Sequence, residues 1–204
     1  MRVSSGRRSG QRFDAVHHVS TEALIFLGQL DPEALGPSIE DATHYEPTPI
    51  EHVATLLDAI PMPLERATFV DLGCGMGRVL LLASLRPFRQ IVGVEFSAAL
   101  CEVARENVAA FDPALRRCRD LRIVRADAKD FALPRGDLVV YMYNPFRGAV
   151  MQAVAKRLAR AAGEKREVIV IYHTPLERAT IEATGAFEVA AAFPCGVVYR
   201  RALR

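Results

Sequence analysis

The 204-residue sequence contains no tryptophan and no long apolar run, and its charges are nearly balanced. No apolar segment reaches the roughly 18 residues that span a bilayer, so we expect no membrane partner. The formal net charge of +2 at pH 7 is too small to indicate a nucleic-acid partner by itself. Half of the residues are hydrophobic, so the length predicts one well-packed domain, alone or with a helical extension.

The cysteines and histidines do not show the spacing of a metal or redox site. The four cysteines, Cys74, Cys101, Cys118 and Cys195, contain no C-x-x-C pair, and the five histidines lack ligand spacing. No apolar segment typical of a secretory signal is present. We therefore expect reduced thiols, no metal and a cytoplasmic protein.

The segment of residues 69–82, F-V-D-L-G-C-G-M-G-R-V-L-L-L, indicates a nucleotide-binding α/β unit. Its apolar start predicts a buried strand and its apolar end a helix, with Gly73, Gly75 and Gly77 between them. The glycines allow a sharp turn and let a ligand approach bare backbone. The helix start supplies unpaired N–H groups for an anionic group.

The spacing of the three glycines discriminates between ligands. A dinucleotide motif G-x-G-x-x-G would need glycine where the sequence has Arg78. The pattern D-x-G-x-G-x-G is complete from Asp71 to Gly77, and it resembles motif I of the class I S-adenosylmethionine (SAM) methyltransferases. A structural turn in another α/β protein is the alternative.

Two further acidic residues stand at the carboxyl ends of predicted strands. The strand over 90–95 ends at Glu95, about twenty residues past the glycine loop, where an acid can accept hydrogen bonds from ribose hydroxyls. Phe96 comes next and is a candidate for contact with adenine or for the core. The strand over 121–126 precedes Asp127 and Ala128, which resemble the methyltransferase position that reads adenine. A surface glutamate and a loop aspartate are the alternatives.

The fourth predicted strand, over 137–143, leads into Asn144, Pro145 and Phe146. In a parallel sheet this strand would neighbour the first, and ligands bind where the strand order reverses. We therefore expect Asn144 to point toward the transferable methyl group and to accept hydrogen bonds from an attacking amine. Tyr143, Tyr45 and His173 are weaker candidates for the wall around that amine. An ordinary N-P turn is the alternative for Asn144.

The rest of the chain predicts the outline of the domain. Residues 1–12 are expected to be a disordered tail, 13–62 an N-terminal helical cap and 63–204 the cofactor-binding domain. Helices are predicted over 14–30, after a capping box at Thr48, over 148–162, and after a second capping box at Thr174. A strand over 167–172 and a closing hairpin over 187–201 follow. The fold class is α/β, a doubly wound seven-stranded mostly parallel sheet with an antiparallel last strand.

From Tyr45 to the end, the chain resembles the class I SAM-dependent methyltransferases. A weaker similarity is to the non-SET protein-lysine methyltransferases of the histone type, through Y-x-x-T at 45–48, F-V-D-L-G-x-G-x-G at 69–77 and G-V-E at 93–95. That type has N-N-F where this chain has Asn144-Pro145-Phe146. The same three residues also resemble the N-P-P-F motif of amino-group methyltransferases, but this chain lacks one of its two prolines.

The resemblance implies SAM as cofactor and methyl transfer to a nitrogen nucleophile, with a protein lysine as one candidate acceptor. Asn144 and Tyr143 are the implied catalytic residues. The implied cofactor-binding residues are Tyr45, Thr48, Asp71, Gly73, Cys74, Gly75, Gly77, Glu95, Phe96, Asp127, Ala128 and Asn144. A small-molecule N- or O-methyltransferase and a catalytically silent SAM-binding protein are the alternatives.

Overall fold

The structure, a computed structural model, describes residues 5–25, 45–164 and 166–202. Its helices are α1 (Ser5–His17), α2 (Ile50–Asp58), α3 (Arg78–Ser84), α4 (Ala98–Ala110), α5 (Gly148–Gly163) and α6 (Arg178–Glu182). Its strands are β1 (Thr68–Leu72), β2 (Gln90–Glu95), β3 (Leu121–Arg125), β4 (Leu138–Tyr143), β5 (Val168–His173), β6 (Phe187–Phe193) and β7 (Gly196–Arg201).

The seven strands form one sheet in the order β3-β2-β1-β4-β5-β7-β6. Strands β1 to β5 are parallel, whereas β7 is antiparallel to both β5 and β6. The strand order reverses between β1 and β4, which is where α/β sheets bind ligands. The predicted fold class, a doubly wound seven-stranded sheet with an antiparallel ending, is therefore confirmed.

The sheet is buried on both faces, as its apolar strands predict. On one face Phe69, Tyr141 and Ile171 pack with α2 and α3. On the other face Val70 and Val140 pack with α5 and α6. Since side chains alternate along a strand, Asp71 of β1 and its register partner Tyr141 of β4 lie on the α2 face.

The N-terminal region differs from its prediction. Residues 5–12, predicted as part of a disordered tail, belong to α1, and the helix predicted over 14–30 ends at His17. The ring of Phe13 stacks on Phe111 at 6.1 Å and holds α1 on the domain. The Asp14 carboxylate accepts the amide protons of Thr21 and Glu22 at 2.6 and 2.7 Å and so turns the chain after α1. Residues 26–30 of the predicted helix lie outside the described residues.

Neither predicted capping box forms. The N-cap of α2 is Pro49 and that of α6 is Glu177, and neither makes a side-chain capping bond. Thr48 is instead buried, and its carbonyl oxygen accepts a hydrogen bond from Arg78 at 3.3 Å. The side chain of Thr48 hydrogen-bonds to Tyr141 and that of Thr174 to Tyr143, so long-range partners take the hydroxyls that the two caps would have used.

The packing of β2 against the glycine loop generates a stability prediction. A Cβ at Gly93 would lie 2.5 Å from Cδ1 of Leu80 and 2.8 Å from Sγ of Cys74. We therefore expect Gly93→Ala to lower the free energy of unfolding by about 1–3 kcal/mol through overpacking. The matched control is Gly163→Ala at the end of α5, where a Cβ meets nothing within 4 Å. Urea denaturation that shows equal midpoints for both variants would contradict this packing.

Candidate functional site

A crevice of about 400 Å³ opens at the carboxyl ends of the parallel strands. The structure brings twelve of the thirteen predicted site residues together in its lining: Tyr45, Thr48, Asp71, Gly73, Cys74, Gly75, Glu95, Phe96, Asp127, Ala128, Tyr143 and Asn144. Gly77 stands apart from the lining as the N-cap of α3. The crevice therefore lies at the place where the strand order reverses.

The glycine loop is packed between two side chains from other segments. Gly73 has φ 81° and Gly75 has φ 51°, both left-handed conformations that favour glycine. A Cβ at Gly73 would lie 2.7 Å from the Cβ of Pro145, and one at Gly75 would collide with the ring of Tyr45. The loop thus needs glycine for protein packing as well as for access to a ligand.

Glu95 joins the loop to the end of β2. Its carboxylate accepts the amide protons of Gly75 at 3.0 Å and Ser97 at 2.9 Å, and the residue is 4% exposed. Burial raises the pKa of this carboxyl, and the backbone donors oppose that rise. Each oxygen keeps acceptor capacity for a ligand.

Asp71 gives the floor of the crevice a second buried acid. It is 2% exposed, and burial, reinforced by Glu95, raises the pKa of its carboxyl well above the usual value. Two neighbouring carboxyls disfavour each other's charged form. A ligand that carries a positive charge or several hydrogen-bond donors would stabilise both.

Asp127 is less available to bind a ligand than its position in the sequence suggests. Its carboxylate pairs with Nζ of Lys129 at 2.8 Å and accepts the Lys129 amide proton at 3.1 Å. The sequence places Asp127 correctly after β3, but its partnership with Lys129 was not predicted. Ala128 and Phe96 continue the lining on this side.

Arg78 is the main residue of the site that the sequence did not predict. Its guanidinium, 2% exposed, donates to Oγ1 of Thr21 at 2.7 Å, to Oε2 of Glu22 at 2.7 Å and to the Thr48 carbonyl at 3.3 Å. Asp14 lies 3.7 Å away as a second carboxylate. The first residue of α3 therefore holds both the segment after α1 and the start of α2.

Tyr45 links this anchor to the glycine loop. Its hydroxyl donates to the Thr21 carbonyl at 2.8 Å, and its backbone forms an antiparallel bridge with Ile25. Its ring lies against Gly75. Burial raises the pKa of Tyr45 above its usual value, so the hydroxyl stays protonated. The Y-x-x-T segment therefore covers one side of the loop.

Tyr143 and Asn144 form the opposite side at the end of β4. Asn144 has φ 39°, and Thr174, which follows β5, has φ 48°. Non-glycine residues in this conformation are uncommon and concentrate at functional sites. Burial and the neighbouring Glu46 raise the pKa of Tyr143 to about 12.

His173, a weaker candidate for the same wall, lies behind it. The residue is 1% exposed and its ring centroid is 4.1 Å from that of Tyr143, outside the crevice lining. Tyr141, a strand residue that belongs to none of the sequence motifs, is in the lining instead.

The described parts of the chain contain neither a metal-binding cluster nor a membrane-spanning helix. Over residues 5–25, 45–164 and 166–202, no three His, Cys, Asp or Glu side chains are grouped to hold a metal ion. No helix among these residues has the length and apolarity needed to cross a membrane. All four cysteines are free thiols.

Comparison with known proteins gives a family match over the centre of the chain. Residues 69–169, from β1 into β5, match the model described as a methyltransferase domain. No curated protein sequence gives a significant match to the chain. The matched segment contains β2, β3 and β4 in full, together with nearly all of β1.

Solved structures of methyltransferases share the fold. A TehB-like SAM-dependent methyltransferase from Corynebacterium glutamicum has a TM-score of 0.51 at 15% identity, covering 74% of this chain and 88% of that one. The precorrin-6y C5,15-methyltransferase from Geobacter metallireducens has a TM-score of 0.54 at 18% identity, covering 74% and 88%. The glycopeptide N-methyltransferase MtfA, complexed with the SAM analogue sinefungin, has a TM-score of 0.56 at 10% identity, covering 76% and 86%.

The burial of Arg78 predicts a large effect of its replacement. We expect Arg78→Met to lower the free energy of unfolding by about 3 kcal/mol, because the variant leaves Glu22 and Asp14 without their cation. Hydrogen exchange should also accelerate in residues 5–25, which lose their anchor. The control is Arg86→Met, whose pair with Asp58 is solvent-exposed and worth at most about 1 kcal/mol. Equal losses in the two variants would contradict the anchoring role.

Proposed function

Because the chain is a class I SAM-dependent methyltransferase, we propose that its acceptor is a nitrogen nucleophile, with the side-chain amine of a protein lysine as the specific candidate. The observation that carries the proposal is the position of Asn144, at the end of β4 and beside the glycine loop. Its side-chain carbonyl is an acceptor suited to the N–H of an amine.

The residues of the crevice fit SAM as the cofactor. SAM carries an ammonium group, two ribose hydroxyls and an exocyclic amine, which are all hydrogen-bond donors. The crevice offers the buried carboxyls of Asp71 and Glu95, and Asp127 at its rim. We assign Glu95 to the ribose and Asp127 with Ala128 to the adenine.

The amino-acid tail of SAM is assigned to the opposite end of the crevice. Tyr45 and Thr48 line the crevice together with Gly73, Cys74 and Gly75 of the loop. Asp71 supplies the carboxyl nearest the start of the loop. Gly77 contributes as the N-cap of α3, whose first N–H groups have no acceptor within the helix.

The protein's task in the reaction is alignment. Bound SAM supplies a methyl group already activated by its sulfonium, so the chain must orient the nucleophile and exclude water. Asn144 accepts an N–H of the amine and directs its lone pair, and Tyr143 forms the adjoining wall. A lysine acceptor must lose a proton before it attacks, because the protonated amine has no lone pair.

A small-molecule N- or O-methyltransferase is the second candidate. Tyr45 and its anchor to Thr21 cover one side of the crevice, and such cover suits a small acceptor better than a protein chain. For the lysine, the support is the resemblance of the Y-x-x-T segment at 45–48 and the G-V-E segment at 93–95 to the histone-type enzymes. The two candidates differ in the size of the acceptor, and for an O-methyltransferase also in the atom that Asn144 orients.

We also propose that the protein works in the cytoplasm. Its four free thiols, three of them buried, support a reducing compartment.

The acceptor class is tested by transfer of the tritiated methyl group of SAM into a cell lysate, followed by separation of protein, nucleic acid and small molecules. We expect label in the protein fraction, released as N-methylated lysine on acid hydrolysis. Label only in the small-molecule fraction would contradict the lysine and favour the second candidate.

The role of Asn144 is tested in the same assay with Asn144→Gly, since glycine accepts the left-handed backbone that alanine would strain. We expect the methyl-transfer rate to fall on the order of a hundredfold, because the acceptor loses its orienting group. The control Gln152→Ala removes an exposed amide from α5 and should leave the rate unchanged. An equal rate in Asn144→Gly and the parent would refute the assignment.

A further inference from the structure

A connected line of three side chains leads from the crevice to the surface on the α2 face of the sheet. Tyr141 lines the crevice, and its Oη lies 3.2 Å from Nδ1 of His173. Nε2 of His173 lies 3.1 Å from Nδ1 of His52 on the first turn of α2. Tyr141 and His173 are buried, whereas His52 is partly exposed.

The fold fixes these three residues together. Tyr141 is third from the end of β4 and His173 is the last residue of the adjacent β5, so both project onto the face that α2 covers. On that face α2 buries Leu56 against the sheet and so places His52 over His173. The line therefore depends on core packing rather than on mobile loops.

Several titratable groups lie near this line. The ring of Tyr143 lies 4.1 Å from that of His173 and its hydroxyl is hydrogen-bonded to Glu46, an exposed carboxylate, and Glu51, also exposed, precedes His52 on α2. Asp71, in register with Tyr141, and the thiol of Cys195 face Tyr141, and burial raises the pKa of both.

We propose that Tyr141, His173 and His52 form a proton relay that carries the proton released by the methyl acceptor out of the crevice to solvent. This rests on the proposed function, because a nitrogen acceptor gives up one proton for each methyl group that it gains. In this role Tyr141 is the member that contacts the crevice, and His173 and His52 act through Tyr141.

The transfer balances as a series of hops. The ammonium of the acceptor first loses one proton to Oη of Tyr141. The nitrogen lone pair then forms the carbon–nitrogen bond as the carbon–sulfur bond breaks with its electron pair on sulfur. Tyr141 passes its phenolic proton to Nδ1 of His173. His173 passes the proton on its Nε2 to Nδ1 of His52, and His52 releases its Nε2 proton to water.

The protonation states of the two buried members suit this sequence. Burial raises the pKa of Tyr141 well above its usual value. Burial, reinforced by His52, lowers the pKa of His173 to about 3. Both groups are therefore neutral near pH 7, and each gives up one proton as it receives another without holding a charge in the core.

The hydrogen-bonded line is tested by nitrogen NMR of the histidine rings in protein labelled with ¹⁵N-histidine and bound to sinefungin. Tyr141→Phe removes only Oη, so we expect the Nδ1 shift of His173 to move and the tautomer balance of His52 to follow. The control His18→Asn, at an exposed site, should leave both rings unchanged. Unchanged His173 and His52 shifts in Tyr141→Phe would overturn the relay.

The role in turnover is tested with His52→Ala, which leaves the buried members in place. Single-turnover methyl transfer into the lysate protein fraction should slow by on the order of tenfold or more, with SAM affinity within about twofold of the parent. Added imidazole should restore most of the rate, which a merely structural loss would not allow.

The outcomes separate the relay from the function on which it rests. An unaltered rate in His52→Ala, or a loss that imidazole does not restore, overturns the relay while methyl transfer to nitrogen stands. If the parent labels no nitrogen acceptor, the proposed function fails, and with it the proton that the relay would carry.

Discussion

The buried guanidinium of Arg78 is the contact on which the geometry of the site depends. It starts α3 directly after the glycine loop and holds Thr21, Glu22 and the Thr48 carbonyl. A cation taken out of water is costly unless it is paired and fully hydrogen-bonded, and here both conditions are met. The segment after α1 and the start of α2 are therefore fixed to the same residue that ends the loop.

This anchoring determines the shape and polarity of the crevice. Through Thr21 it positions Tyr45, whose ring occupies the space that a Cβ at Gly75 would take. On the opposite side Pro145 closes against Gly73, so the loop is held from two directions. Asp71 and Glu95 are left as buried acids at its base, an environment that favours a ligand rich in hydrogen-bond donors. SAM has that character.

Local patterns in the sequence predict the sheet and most of the site, whereas long-range contacts explain what was missed. The strands, the glycine loop and the acids at the carboxyl ends of β1, β2 and β3 follow from short apolar runs and from the rule that parallel strands end at one edge. Arg78 was interpreted only as the absence of a glycine, because its partners lie 56 and 57 residues away. The capping box at Thr48 does not form for the same reason, since the Thr48 side chain hydrogen-bonds to Tyr141 on β4. Nothing in the sequence distinguishes the relay residue Tyr141 from other buried tyrosines, because only the fold brings His173 and His52 next to it.

A crystal structure of the protein with sinefungin would test most directly whether the anchored crevice is the SAM site. We predict the analogue in the crevice, with its ribose hydroxyls on the Glu95 carboxylate, its amino-acid tail beside Tyr45 and the glycine loop, and Arg78 still bound to Thr21 and Glu22. A crevice that stays empty at saturating sinefungin, or an analogue bound at another surface, would contradict it.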